Sequence, residues 1–327
     1  MASYSLKKYD FTSSALFLSL YFSAAFAVLL IHAPKPSIGE WVGQLFWFIN
    51  FDHFGKFSLL TFITAIIAIN ALLLHKINSG ILGIGKEKLF LPLLYLILCV
   101  ISPGSLNVSG ALLASPFFLY SIHNTLYAHK SERSLFLTGI FLSGAIVFEP
   151  RFILLSIVPM IFLFTTKMLK FREIVIFVIS FIIPSLTYLS IYQLLNGDFL
   201  HLIVDFGQMI ITREGSAIIE ETPVGYVILL VYFLLVVSAM FRIVQSINRV
   251  KIIKAMTLYR IIALFIGIVI IYLIYPKILS GIAPLLAFPL SIIIGERVAS
   301  RDTAPSYRVL FFVLLILVSV KFIYEFI

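Results

Sequence analysis

The chain has 327 residues, of which 61% are hydrophobic, 15% aromatic and 12% charged, with a formal net charge of +9 and a mean hydropathy of +1.11. Soluble domains carry roughly 45–50% apolar and about 25% charged residues, so a soluble globular enzyme, a disordered chain and a coiled coil are excluded. The solidly apolar runs also exclude an outer-membrane barrel, whose strands alternate. What remains is an all-α polytopic transmembrane helical bundle.

A hydrocarbon core of about 30 Å needs roughly 20 apolar helical residues. Eleven spans are predicted: 13–32, 57–75, 88–103, 109–128, 134–149, 151–166, 173–195, 223–241, 260–276, 278–295 and 308–325. The third, fifth, sixth and ninth are short. Lys7 and Lys8 precede the first span and place the N-terminus in the cytoplasm. An odd number of spans then puts the C-terminus outside. The first apolar run continues past Ala25 and Ala27 to Ile31, so it reads as an uncleaved helix rather than a signal peptide. With this alternation, 18 of the 24 basic residues fall on the inner side and nine of the 15 acidic residues on the outer side. That is the asymmetry expected of a bacterial inner-membrane protein, and it accounts for the positive charge without nucleic acid. No soluble domain is evident, so residues 1–327 read as one integral membrane domain.

The first long outer segment, 33–56, is aromatic and amphipathic. It predicts a short helix in the interface, with Trp41 and Trp47 at headgroup level. Glu40 and Asp52 are its acids, and Asp52-His53 falls where the segment turns into the second span. A carboxylate there suits a general base or a metal ligand; the plainer reading is a helix cap. Within the spans, Asn70, His123 and Asn124 are explained by interhelical hydrogen bonds. Cys99 is the one cysteine, inside an apolar run, and forms no internal disulfide.

Phe148-Glu149-Pro150-Arg151-Phe152 joins two short spans. Fifteen residues separate Arg133 from Glu149, and fifteen separate Arg151 from Lys167. Each arm therefore reaches only about 22 Å. Either the bilayer thins here or Glu149 and Arg151 are sunken in a wet outward-facing pocket, with Pro150 opening the backbone. A local Glu–Arg pair capping a tight hairpin is the alternative.

The second long outer segment, 196–222, places Asp198, His201, Asp205, Gln208 and Thr212 on one face of a helix. Asp198, His201 and Asp205 could hold a divalent cation; a solvated polar face is the plainer account. The inner segment 242–259 carries Arg242, Arg249, Lys251 and Lys254 among apolar residues and predicts a basic helix on the anionic inner surface. Lys277 follows Tyr275-Pro276 with only 16 residues between it and Arg260, as a second sunken cation or a snorkelling lysine at a hairpin tip. Arg151 and Lys277 at one depth would suit a lipid phosphate or pyrophosphate.

Taken together, the outer loop with its acid and the stretch Gly139-Ile-Phe-Leu-Ser-Gly144-Ala-Ile-Val-Phe-Glu-Pro-Arg151-Phe resemble, over roughly the first half of the chain, polytopic GT-C-type glycosyltransferases that use polyprenyl-phosphate-linked sugars. The resemblance implies a catalytic acid at Asp52 or Glu40 and lipid-phosphate contact at Arg151. It leads to the expectation of lipid-linked glycosyl transfer at the outer leaflet, with Glu149, Arg151, Lys277 and His53 binding substrate and a polyprenyl phosphate as partner lipid. A transporter or lipid flippase, and a non-catalytic subunit of an envelope assembly, are the competing readings.

Overall fold

The computed structural model describes residues 53–84, 89–101, 107–127, 131–166, 170–196, 199–211, 223–246, 251–275, 279–299 and 309–317, together with Ser19, Pro36, Val42 and Tyr307. Among them the elements are helical and no strand occurs. The helices are α1 (Lys56–Ile77), α2 (Phe90–Ile101), α3 (Gly110–Tyr127), α4 (Glu132–Phe148), α5 (Phe152–Leu155), α6 (Ile157–Thr166), α7 (Phe171–Asn196), α8 (Phe199–Ile211), α9 (Pro223–Ser246), α10 (Ile252–Ile274) and α11 (Leu279–Ala299). A further helical stretch covers 309–317. Among the described residues, four segments are long and apolar enough to cross a membrane: Lys56–Leu82, Phe171–Leu195, Ile252–Ile274 and Ile282–Ala299.

The apolar segments predicted from the second to the tenth each coincide with helix. Two boundaries differ from expectation. The ninth segment is not short: α10 starts at Ile252 and runs for 23 residues. It thereby takes up half of the basic stretch 242–259, while residues 242–246 end α9. The described parts of that stretch are thus the ends of two helices rather than a separate surface helix. The physical reason is continuity of apolar residues from Ile252 through Ile274, which outweighs Lys254 because its ammonium is met by Glu296 on α11, 2.8 Å away.

Local chemistry sets the helix ends. Ser131 caps α4 by accepting from the Ser134 amide at 3.3 Å, and Ser109 caps α3 by accepting from Leu112 at 3.1 Å. α1 unwinds into one π-turn, Asn78–Leu82. There the Asn78 side chain accepts from the Ile84 amide (2.8 Å) and donates to its carbonyl (3.2 Å). Gly83, at φ +57°, supplies the left-handed residue that closes this turn.

The core lies between α1, α2, α3, α10 and α11, with Tyr95, Phe90, Phe118, Phe152 and Phe288 wholly buried. Contacts fix the relative helix directions. Ser121 donates to the Thr138 carbonyl and Gly144 faces Phe117, so α3 and α4 are antiparallel. Gly139 faces Ser180 and Ser143 Oγ lies 2.8 Å from Ser185 Oγ, so α4 and α7 are parallel. A Cβ at Gly139 would overlap Ser180 Oγ and approach the Phe177 carbonyl oxygen to 2.9 Å. Glycine is what allows these two helices to meet backbone to backbone. Much of the rest of α7 is exposed, with Phe171, Ile182 and Leu194 among the exposed apolar side chains, while Glu173 is buried.

Candidate functional site

The parallel seam fixes where Glu149 and Arg151 lie. Residues 139 and 143 of α4 stand opposite 180 and 185 of α7, an offset of 41 or 42 residues. At the start of the seam Glu132 pairs with Arg172 at 3.1 Å, so the two helices begin level. α4 stops at Phe148, opposite about residue 190, yet α7 continues to Asn196. The tip of α4 therefore ends about 9 Å below the end of α7.

The tip itself is tight. The amide of Glu149 donates to Ala145, that of Phe152 to the Glu149 carbonyl at 2.9 Å, and that of Ile153 to Pro150 at 3.0 Å. Pro150 has no amide to leave unsatisfied and its fixed φ suits entry into α5. Glu149 is buried, at 4% exposure. Its Oε1 has no hydrogen-bond partner among the described residues. The Arg151 backbone amide meets the carboxyl group, and the charge that faces the unpaired oxygen is the Arg151 guanidinium, whose Nη1 stands 4.0 Å from Oε1.

Arg151 is held from three directions. Nε donates to the Met209 carbonyl in the last turn of α8, at 3.2 Å. Its guanidinium carbon lies 5.6 Å from the centroid of the Tyr275 ring, at the C-cap of α10. Glu149 flanks Nη1. Tyr275 in turn donates its hydroxyl to the Ile210 carbonyl, at 2.6 Å. The α4–α5 tip, the end of α10 and the end of α8 thus meet at one point. A helix C-terminus carries partial negative charge, which explains why both donors point at it.

α8 folds back from the top of α7 onto this tip. Leu202, at 4% exposure, packs with Val147, Phe148, Tyr188, Tyr192 and Phe206. Of the predicted polar face, His201, Asp205 and Gln208 are described: His201 Nδ1 and Asp205 Oδ2 lie 3.0 Å apart, with the His201 side chain 70% exposed. Asp198, the third member of the predicted cation site, is outside the described residues. Among the described residues no three His, Cys, Asp or Glu side chains stand close enough to hold a metal ion.

Glu40, Asp52 and Lys277 also lie outside the described residues. His53 is exposed, and the N-cap of α1 is Gly55, which makes no side-chain capping bond. His53 therefore does not cap α1. Glu149 and Arg151 are brought together as expected. Tyr275 is the site residue that sequence reasoning passed over; its signal was only its place beside Lys277, at a hairpin tip at the depth of Arg151.

Away from the tip, Asn70 on α1 donates to Ser115 Oγ on α3 at 2.8 Å, the interhelical bond expected of it. Asn124 instead bonds within α3, to the Tyr120 carbonyl. His123 is buried beside Tyr120, their rings 5.6 Å apart.

Chemically, the tip offers guanidinium hydrogens for an anion and a carboxylate oxygen for a hydroxyl, side by side. Those are the two kinds of group that a phosphate-linked sugar carries. Residues 37–327 match the model of a family described as "Family of unknown function (DUF6427)". No curated protein and no solved structure matches the chain.

Proposed function

The chain belongs to the DUF6427 family, whose function is unknown, and from its own geometry we propose a membrane-embedded enzyme of GT-C-like type. In this reading it is a multi-pass protein of the bacterial inner membrane with eleven spans, N-terminus inside and C-terminus outside. It transfers a sugar or similar group from a polyprenyl phosphate at the outer leaflet. The observation that carries the proposal is a guanidinium, that of Arg151, fixed from three directions about 9 Å below the end of a lipid-facing helix. A lipid phosphate entering from the membrane edge meets it at that depth.

Arg151, aided by Lys277 two residues beyond Tyr275, takes the phosphate charge. Glu149 and His53 contribute to substrate binding. An acceptor hydroxyl attacks the anomeric carbon, the bond from that carbon to the phosphate oxygen breaks, and the hydroxyl proton passes to Asp52 or Glu40. Developing negative charge on the departing phosphate is what a preorganised guanidinium stabilises. Asp198, His201 and Asp205 are the residues that would hold a divalent cation.

A transporter reading draws support from one observation. Asn70 and Tyr95 are polar side chains fully buried among the helices, with Tyr95 within interaction reach of Asn70 and of Cys99, as polar groups along a substrate path would be. Neither is ionisable at neutral pH, and the enzyme reading is preferred.

The test is native mass spectrometry of the protein purified in nanodiscs, as wild type, Arg151→Lys and Arg151→Ala. Retained polyprenyl phosphate that falls in the lysine variant and disappears in the alanine variant is the expected result. Ordinary phospholipid alone in all three overturns the lipid-phosphate reading.

A further inference from the structure

We infer that Tyr275 is the positioning residue of the phosphate site, setting the plane of the Arg151 guanidinium. The inference rests on the reading of Arg151 as a phosphate ligand. An arginine side chain has four rotatable bonds and loses much rotamer freedom when fixed. Only one of its groups, Nε, is hydrogen-bonded among the described residues, to Met209 at 3.2 Å. One bond leaves the plane free to turn about that contact. The ring of Tyr275, 5.6 Å from the guanidinium carbon, supplies the missing constraint because a guanidinium rests on an aromatic face.

The ring is itself immobilised. Tyr275 is 7% exposed. Its amide donates to the Ile271 carbonyl at 2.8 Å, ending α10. Its hydroxyl donates to Ile210 at 2.6 Å. Nε and the tyrosine hydroxyl thus reach adjacent carbonyls of the same helix end, so the two side chains are registered against one rigid object. With Nε and the ring face fixed, the Nη edge keeps one direction, beside Glu149 Oε1. That edge is the bidentate donor pair for phosphate.

Ring and hydroxyl have separable roles. The ring acts on Arg151, whereas the hydroxyl acts on α8. Tyr275→Phe keeps the first and removes the second; Tyr275→Leu and Tyr275→Met remove both while filling similar space. The probe is farnesyl phosphate, titrated calorimetrically into detergent-solubilised full-length protein, with farnesol as the phosphate-free control. Tyr275→Phe is expected to bind within about threefold of wild type, and the leucine and methionine variants about tenfold more weakly. Farnesol binding is expected to be the same in all, since a purely structural loss would weaken both ligands together. Wild-type affinity in the leucine and methionine variants, with binding lost in Arg151→Ala, overturns the role of Tyr275 and leaves the phosphate site standing. Equal weakening of farnesol and farnesyl phosphate overturns it too. No preference of the wild type for farnesyl phosphate over farnesol overturns the phosphate reading and the inference with it.

Discussion

The seam between α4 and α7 gives a sharp prediction for Gly139→Ala. Two effects oppose each other. Alanine is the better helix former, worth at most about 1 kcal/mol over glycine in a helix interior. Against that, the new Cβ overlaps Ser180 Oγ and stands 2.9 Å from the Phe177 carbonyl oxygen and 3.0 Å from the Phe181 amide nitrogen. Ser180 can turn away only by giving up its 2.8 Å bond to the Phe177 carbonyl. The backbone atoms cannot turn away, so α7 must retreat by about half an ångström to reach ordinary contact distance. Overpacking of this kind costs about 1–3 kcal/mol. The retreat also stretches the Ser143–Ser185 contact, now 2.8 Å, and interhelical bonds in membranes average about 0.6 kcal/mol. The steric side wins, and Gly139→Ala is expected to destabilise by about 1–2 kcal/mol, Gly139→Leu by more than about 3 kcal/mol. Denaturation in mixed detergent, followed by circular dichroism, measures it. The double variant Gly139→Ala/Ser180→Gly should recover part of the loss but not all, since the backbone contacts remain. An alanine variant as stable as wild type would refute the close approach of the two helices.

Gly267→Ala should cost less than Gly139→Ala, about 1 kcal/mol or less in the same assay, because its Cβ would meet the Val158 Cγ2 methyl at 2.8 Å, on a stiff β-branched side chain, but no backbone atom of another helix. Removing the Arg172 charge should change stability by less than about 0.5 kcal/mol, since its partner Glu132 and Arg172 itself are largely exposed. Glu296→Gln should cost more than Arg172→Gln, because it strands Lys254 where both side chains are only about a fifth exposed; equal costs for the two variants would count against that difference in burial. Cys99 should resist maleimide in the native protein and react fully after denaturation, being buried; rapid native labelling would place α2 elsewhere. In inverted and right-side-out vesicles, a membrane-impermeant maleimide should reach Gln208→Cys and Lys251→Cys from opposite sides, and labelling from one side would contradict the proposed topology.

Helix positions were legible because apolar runs of this purity have few other solutions. The tight turn at Glu149-Pro150-Arg151 was also legible, from the proline between two arms of fifteen residues. Which helices touch was not. Gly139 and Gly144 were noted only for their place in a family-like stretch; that Gly139 admits Ser180 and makes α4 parallel to α7 is a matter of tertiary choice among many apolar faces. Tyr275 was missed for a related reason: its ring contact and its hydroxyl bond reach residues 124 and 65 positions away, and no local periodicity encodes such pairs. The start of α10 was misplaced because the basic residues of 242–259 look interfacial until Lys254 is seen to meet Glu296 across two helices.

The unequal lengths of α4 and α7 bear on lipid thickness. Two parallel helices that start level and finish about 9 Å apart cannot both match one flat hydrocarbon slab. α7, with apolar side chains exposed along its length, is the one whose 26 residues the surrounding acyl chains must accommodate. The end of α4 is the shorter one, and α8 packs back over it, with Leu202 against Val147 and Phe148. Under the proposed function, the height of the headgroup plane relative to Arg151 would then depend on bilayer thickness as well as on headgroup chemistry.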